Sequence, residues 1–240
     1  MIDQDMEQFI ADLENPDKRR LRTAVDALTC LAADSPELRA RLNVLLTEPR
    51  RKNRWAIAYI LASLSNPAEE SLRVLHEALD SPDSDIRWAV ALLLVRLGKT
   101  TPRTVPPLVE LSKTGAPIQR RMAIYCVRDL CLEDEIAVPA LLRALIDEEP
   151  LVRVAAVTSL KLRQGLNAEG KDLLLKIFLA DPDLRVRSAA AITLAELAPA
   201  SEEFLIALKT TAASENAQMK KAALAAFTLL EKRRPAPTGS

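Results

Sequence analysis

Taking Leu28 as an anchor, apolar residues recur at Leu61, Leu94, Val127, Leu160, Leu194 and Phe227, at steps of 33, 33, 33, 33, 34 and 33 residues. Nineteen residues before each anchor stand Phe9, Leu42, Leu75, Leu108, Leu141, Leu175 and Leu208. All fourteen slots are apolar, so the chain reads as seven copies of one supersecondary unit. A unit this short cannot bury its own apolar face. Neighbouring copies must stack, and the stacking buries a continuous core.

Each copy holds two helical patterns. In "SLRVLHEAL", Leu72, Leu75 and Leu79 fall at i, i+3 and i+7, the spacing of one helix face. The second pattern starts at an arginine and runs through the anchor, as in "RSAAAITLAEL". Between the two lies a turn with Pro16, Pro49, Pro82, Pro117, Pro150 or Pro182, and proline, which lacks an amide donor, is expected to end the first helix there. Asp83 and Asp183 follow their prolines, where a carboxylate can cap the next helix. Composition agrees: five glycines in 240 residues, only 3% aromatics, and many Ala, Leu, Arg and Glu residues, the strong helix formers. The expected fold class is all-α.

Several repeat families have periods near 33 residues. Ankyrin units need a TPLH-like turn and tetratricopeptide units their own Trp, Gly, Tyr and Pro pattern; neither is present. The second-helix segments "VRVAAVTSLKL", "VRSAAAITLAEL" and "IRWAVALLLVRL" resemble the short HEAT-like repeats of the phycobilisome lyase type, with their V-R-x-A-A-x-x-x-L-x-x-L core. The resemblance spans about residues 3–233. It departs in repeat one, where Leu21 takes the arginine slot, and in repeat seven, where Lys220 does. It implies a right-handed α-solenoid of seven helix pairs over residues 1–233, with second helices on the concave side, followed by a disordered tail at 234–240. Arrays of this kind serve mainly as binding scaffolds.

The two tryptophans, Trp55 and Trp88, occupy one slot in successive repeats, six residues before their anchors. At 100° per residue that slot lies about 180° from the core direction set by Ile86, Val90, Leu93, Leu94 and Leu97. Tyr59 and Tyr125 fall on the same outward stripe. Trp55, Tyr59, Trp88, Leu92, Val95, Arg121, Tyr125 and Arg128 are therefore expected to form one patch on the concave ridge, and Trp, Tyr and Arg are the residues enriched at interface hot spots. The bland alternative is that a tightly curled stack packs the rings between neighbouring second helices.

Arginines recur at the start of the second helix: Arg54, Arg87, Arg120, Arg153 and Arg187. Because the slot repeats with the fold, it reads as a structural ladder of ion pairs between successive turns. The turns "KRRLR" and "RRKNR" carry extra charge. Lys18, Arg19, Arg22, Arg50, Arg51 and Lys52 would make a basic edge open to phosphates or an acidic protein segment, unless Asp12, Glu14, Asp17 and Glu48 merely balance it.

Catalytic chemistry is not indicated. There is one histidine, His76, beside the Leu75 core slot, and no phosphate loop, GxSxG or HExxH motif. Cys30, Cys126 and Cys131 are odd in number and lack CxxC spacing, so neither a disulfide framework nor a zinc site is expected. Lys plus Arg equals Asp plus Glu at 33 each, which gives nucleic acid or a membrane no global attraction. The expectation is a cytoplasmic, non-enzymatic adaptor without cofactor or metal, binding a protein or peptide. The alternatives are a nucleic-acid-binding, glycosylase-like protein, which would need a carboxylate beside the aromatics, and a phycobilin-lyase-like subunit.

Overall fold

The computed structural model describes residues 2–64, 66–163, 166–197 and 200–233; the tail expected to be disordered lies outside them. All regular structure among these residues is helical. The seven copies become seven helix pairs: α1 (Ile2–Asp12) with α2 (Lys18–Asp34), α3 (Pro36–Leu46) with α4 (Arg54–Ser63), α5 (Glu69–Ala78) with α6 (Ser84–Thr100), α7 (Val105–Thr114) with α8 (Pro117–Asp129), α9 (Asp134–Ala144) with α10 (Pro150–Leu160), α11 (Ala168–Ala180) with α12 (Leu184–Glu196), and α13 (Glu202–Ala212) with α14 (Ala217–Lys232). The chain divides into two compact units, the first ending at Leu108 and the second starting at Val109. Second helices touch in series within each unit, α2 to α4 to α6 in the first and α8 to α10 to α12 to α14 in the second.

Eleven of the fourteen register slots are buried; Phe9, Leu175 and Phe227 are half-buried. The case of Leu175 corrects the register. Leu174, one residue earlier, is fully buried, and so is Phe178 four residues beyond it, just as Leu145 lies four beyond Leu141 and Leu79 four beyond Leu75. The extra residue of repeat six therefore falls after Leu174, within or just beyond the longer helix α11. The most uniform slot lies four before the anchor: Ala24, Ile57, Val90, Ala123, Ala156, Ala190 and Ala223 are all at 0% exposure. Small side chains dominate it because neighbouring second helices meet there. In the second unit Phe178 of α11 meets Phe204 of α13 edge-on, with ring centroids 5.8 Å apart, the arrangement aromatic quadrupoles favour.

Turn chemistry sets the helix starts. Asp17, Asp83 and Asp183 accept from the amides of Arg19, Asp85 and Arg185, and Ser35, Asn167, Ser201 and Asn216 cap in the same way. Pro117 and Pro150 occupy the first position of α8 and α10, where a missing amide costs nothing. In those two repeats proline opens the second helix rather than only closing the first.

The periodic arginines form the expected ladder of ion pairs in part, at Arg54, Arg120 and Arg153. Arg120 places two nitrogens on Asp147, both at 2.8 Å, and a third on the carbonyl of Gly115. Arg153 repeats this on Asp181 at 2.8 and 2.9 Å and on the carbonyls of Asp147 and Glu148. Arg54 ties the Leu46 carbonyl to Glu70, while among the described residues Arg87 and Arg187 hold carbonyls, those of Ser81 and Pro82 and that of Phe178. Each guanidinium thus locks its own inter-helix turn, and three of the five also reach an acid of the next repeat. A second set works at the far end of the second helices. Arg103 bonds Asn66 and the Pro67 carbonyl after α4, Arg163 the carbonyls of Val127 and Arg128 in the last turn of α8 and of Leu132 beyond it, and Arg233 the Glu196 carbonyl at the end of α12. Asn66 and Cys131, the two described residues with positive φ (54° and 52°), sit in two of these turns, so an arginine from the following repeat braces a backbone that side chains disfavour.

Burial separates these pairs energetically. The Arg153 and Asp181 side chains are 9% and 5% exposed. Arg153→Ala, which strands a buried carboxylate, is expected to cost about 3–5 kcal/mol in chemical denaturation, whereas Arg185→Ala, at a side chain 58% exposed, should cost under about 1 kcal/mol. A pH effect follows at the α12 cap. The Arg185 hydrogen bond holds the Asp183 carboxyl down at about 2, below the usual carboxylate range. A carboxyl lowered in the fold stabilises above its unfolded value and loses that contribution as pH falls through its folded one. Asn can still cap, so the stability gap between wild type and Asp183→Asn should shrink between pH 4 and pH 2. A gap that stays constant over that range refutes the assignment.

Candidate functional site

In the first unit, α2, α4 and α6 border a cleft of ≈ 470 Å³. Its apolar lining comes from Leu21 and Val25 of α2, Trp55 and Tyr59 of α4, and Ile86 and Ala89 of α6. Lys18, Arg22, Asp26, Asp83 and Asp85 supply its charges. The chain reaches this geometry because α4 turns its outward pair, Trp55 and Tyr59, toward the space between the flanks of α2 and α6, where the small residue Ala89 leaves room between the larger ones.

The two tryptophans part company here. Trp88 is 42% exposed and Leu92 64%, while Trp55 and Tyr59 are half-buried in the cleft. The Trp55 indole donates to Asn53 at 3.3 Å, and Asn53 in turn donates to the Leu13 carbonyl at the end of α1. Val95, expected on the ridge, is buried at 8%. A helical wheel treats one helix alone, but α6 packs against both α4 and α5, and those flanks cover a wider arc than the core direction implies. In the second unit Arg128 stacks over the Tyr125 ring, 4.9 Å from its centroid, and pairs with Asp129 at 2.6 Å. Tyr125 packs partly against the core, and Arg121 is half-buried.

Of the basic edge, Lys18 holds Asp83 at 2.7 Å and Asp85 at 2.9 Å, Arg22 faces Asp26 at 3.9 Å, and Arg51 lies between Glu48 and Glu14. Arg19, Arg50 and Lys52 are exposed. Sequence reasoning missed the Lys18 contact, which spans two repeats and ties the start of α2 to the start of α6 across α4. Equal 33-residue spacing places those helix starts in line, but nothing in the sequence says how closely they approach. It also missed the carboxylates beside Trp55 and Tyr59, because they come from α2 and the start of α6 and not from α4 itself.

Elsewhere the reactive side chains are subdued. Burial pushes the Cys126 thiol up to about 12 and lowers the His76 imidazole. Cys30 and Cys131 are exposed, and all three cysteines are free thiols. Among the described residues no group of three or more His, Cys, Asp or Glu could hold a metal ion, and no helix is long and apolar enough to cross a membrane.

The family model for HEAT repeats matches residues 38–128, 119–195 and 138–228; it does not single out the phycobilisome lyase type. No curated protein matches the sequence. Among solved structures, Escherichia coli YibA superposes with a TM-score of 0.55 at 16% identity, covering 94% of this chain and 92% of that one. A Kap121p mutant gives 0.56 at 16% identity, covering 96% of this chain and 29% of that one. At these identities the likeness establishes the fold alone.

Local burial separates the two indoles in a measurable way. Trp88→Phe should leave a bluer emission, less accessible to iodide, than Trp55→Phe. Equal quenching of the two single-tryptophan variants would contradict the difference in burial.

Proposed function

This chain belongs to the HEAT-repeat family, and from that premise we propose that it is a non-enzymatic scaffold binding a protein or peptide partner on the face formed by its second helices. One observation carries the reading: a second-helix cleft with a half-buried Trp–Tyr lining, next to a tryptophan and a leucine left open on the adjoining helix. An exposed Trp88 forgoes on the order of 2–3 kcal/mol of burial, a cost that a binding face explains. Trp55, Tyr59, Trp88 and Leu92 supply the anchors in the first unit, and Arg121, Tyr125 and Arg128 those in the second. Arg19, Arg50 and Lys52, whose side chains are exposed, add a weaker, salt-sensitive contact. The three free thiols fit a cytoplasmic setting.

The test uses peptides selected from a displayed random library against the wild-type protein. Trp88→Ala and Leu92→Ala should each cost under about 1 kcal/mol of folding stability, as surface changes do. Trp88→Ala should weaken the selected peptides by about 2 kcal/mol or more in calorimetric titration. Peptides that bind the Trp88→Ala/Leu92→Ala double variant as tightly as wild type defeat the assignment. So does a hydrolase, lyase or glycosylase activity that the same changes abolish.

A further inference from the structure

The charges around the α2–α4–α6 cleft are unequal: three carboxylates, Asp26, Asp83 and Asp85, against two cations, Lys18 and Arg22. They are also organised. One oxygen of Asp83 accepts from the Asp85 amide at 2.9 Å and so caps α6, which fixes the carboxylate in place. The other oxygen, with Asp85, clasps the Lys18 ammonium at 2.7 and 2.9 Å. This clasp raises the Lys18 ammonium to about 12 and draws Asp83 below the usual carboxylate range. Lys18 is nonetheless 64% exposed and Asp85 78%, so the cation resting there can be exchanged without unfolding anything. Aromatic faces next to held carboxylates suit a positive charge, through ring quadrupole and charge-assisted hydrogen bonds together.

We infer that this cleft receives an arginine side chain of the partner, which displaces Lys18 from Asp83 and Asp85 and lodges against Trp55 and Tyr59. The inference rests on the scaffold reading and names the partner chemistry for its first unit. Lys18 is the cleft's resident occupant and the competitor of the incoming cation. Arginine fits better than lysine because two carboxylates a few residues apart can each take a separate edge of its planar fork, while its weakly hydrated plane stacks on an aromatic ring. Arg22, opposite Asp26, keeps a second cation at the rim and limits the cleft to one incoming charge.

The probe is a blocked Gly-Gly-Arg-Gly-Gly peptide, with citrulline replacing arginine as a neutral control of the same shape. Binding is read from Trp55 emission in a Trp88→Phe background. The arginine peptide should bind at least about tenfold tighter than the citrulline peptide. Lys18→Ala should tighten it about tenfold by removing the competitor, and Asp85→Asn, which spares the Asp83 cap, should weaken it by a similar factor. Arginine and citrulline peptides binding alike, no arginine-dependent response up to about 10 mM, or Lys18→Ala weakening the interaction would each overturn the inference. A library-selected peptide that needs Trp88 yet ignores Lys18→Ala and Asp85→Asn would overturn it too, while leaving the scaffold reading standing.

Discussion

Five of the seven repeats depend on a guanidinium in the turn between their two helices. The turn must reverse the chain in a few residues, which leaves carbonyl groups at the end of the first helix and beyond it without helical partners. Arg54, Arg87, Arg120, Arg153 and Arg187 all donate to such carbonyls. An arginine at a helix N-terminus opposes the helix dipole, but here its head group folds back into the turn and, in Arg120 and Arg153, is neutralised by the aspartate of the next copy. The same side chain therefore closes one repeat and docks the next. The interaction is strong because it is buried, and a substitution that removes only one partner is correspondingly damaging.

A stack braced in this way at its turns, and by Arg103, Arg163 and Arg233 at the other end of the second helices, can leave the remaining second-helix surface free for other work. The core comes mainly from the anchor slots and the small slot four residues before them, which leaves Trp88 and Leu92 on the outward arc exposed. In the first unit that arc holds Trp55, Tyr59, Trp88 and Leu92. Their exposure differs because lateral neighbours, not helix rotation alone, decide what water reaches: Trp55 has second helices on both sides, at α2 and α6. The cleft exists for the same reason. Three adjacent helices bring an aromatic pair, a fixed carboxylate and a movable lysine together, although Lys18 and Asp85 are 67 residues apart in the chain.

The correction in repeat six shows how such arrays tolerate irregularity. A uniform nineteen-residue spacing selects Leu175, but burial selects Leu174, with Phe178 following at the proper interval. One added residue beyond Leu174 leaves the first-helix register unchanged, and Arg187 still reaches a carbonyl of its own turn, that of Phe178. An insertion inside the core register would have rotated the helix by about 100° and turned its apolar face away from its neighbours.

Fourteen apolar slots, the helical spacing within each copy and the proline-bearing turns were enough to determine seven helix pairs, because periodicity acts through local helix geometry and nearest-neighbour burial, both written in the order of residues. The role of the periodic arginines as structural braces was legible for the same reason, and so was the slot shared by Trp55 and Trp88. Which arginines meet an acid, the burial of Val95, the half-burial of Trp55 and the Lys18 clasp on Asp83 and Asp85 were decided only in three dimensions. They depend on how closely successive second helices approach, a distance set by side-chain packing across repeats and not by the spacing of residues along any one of them.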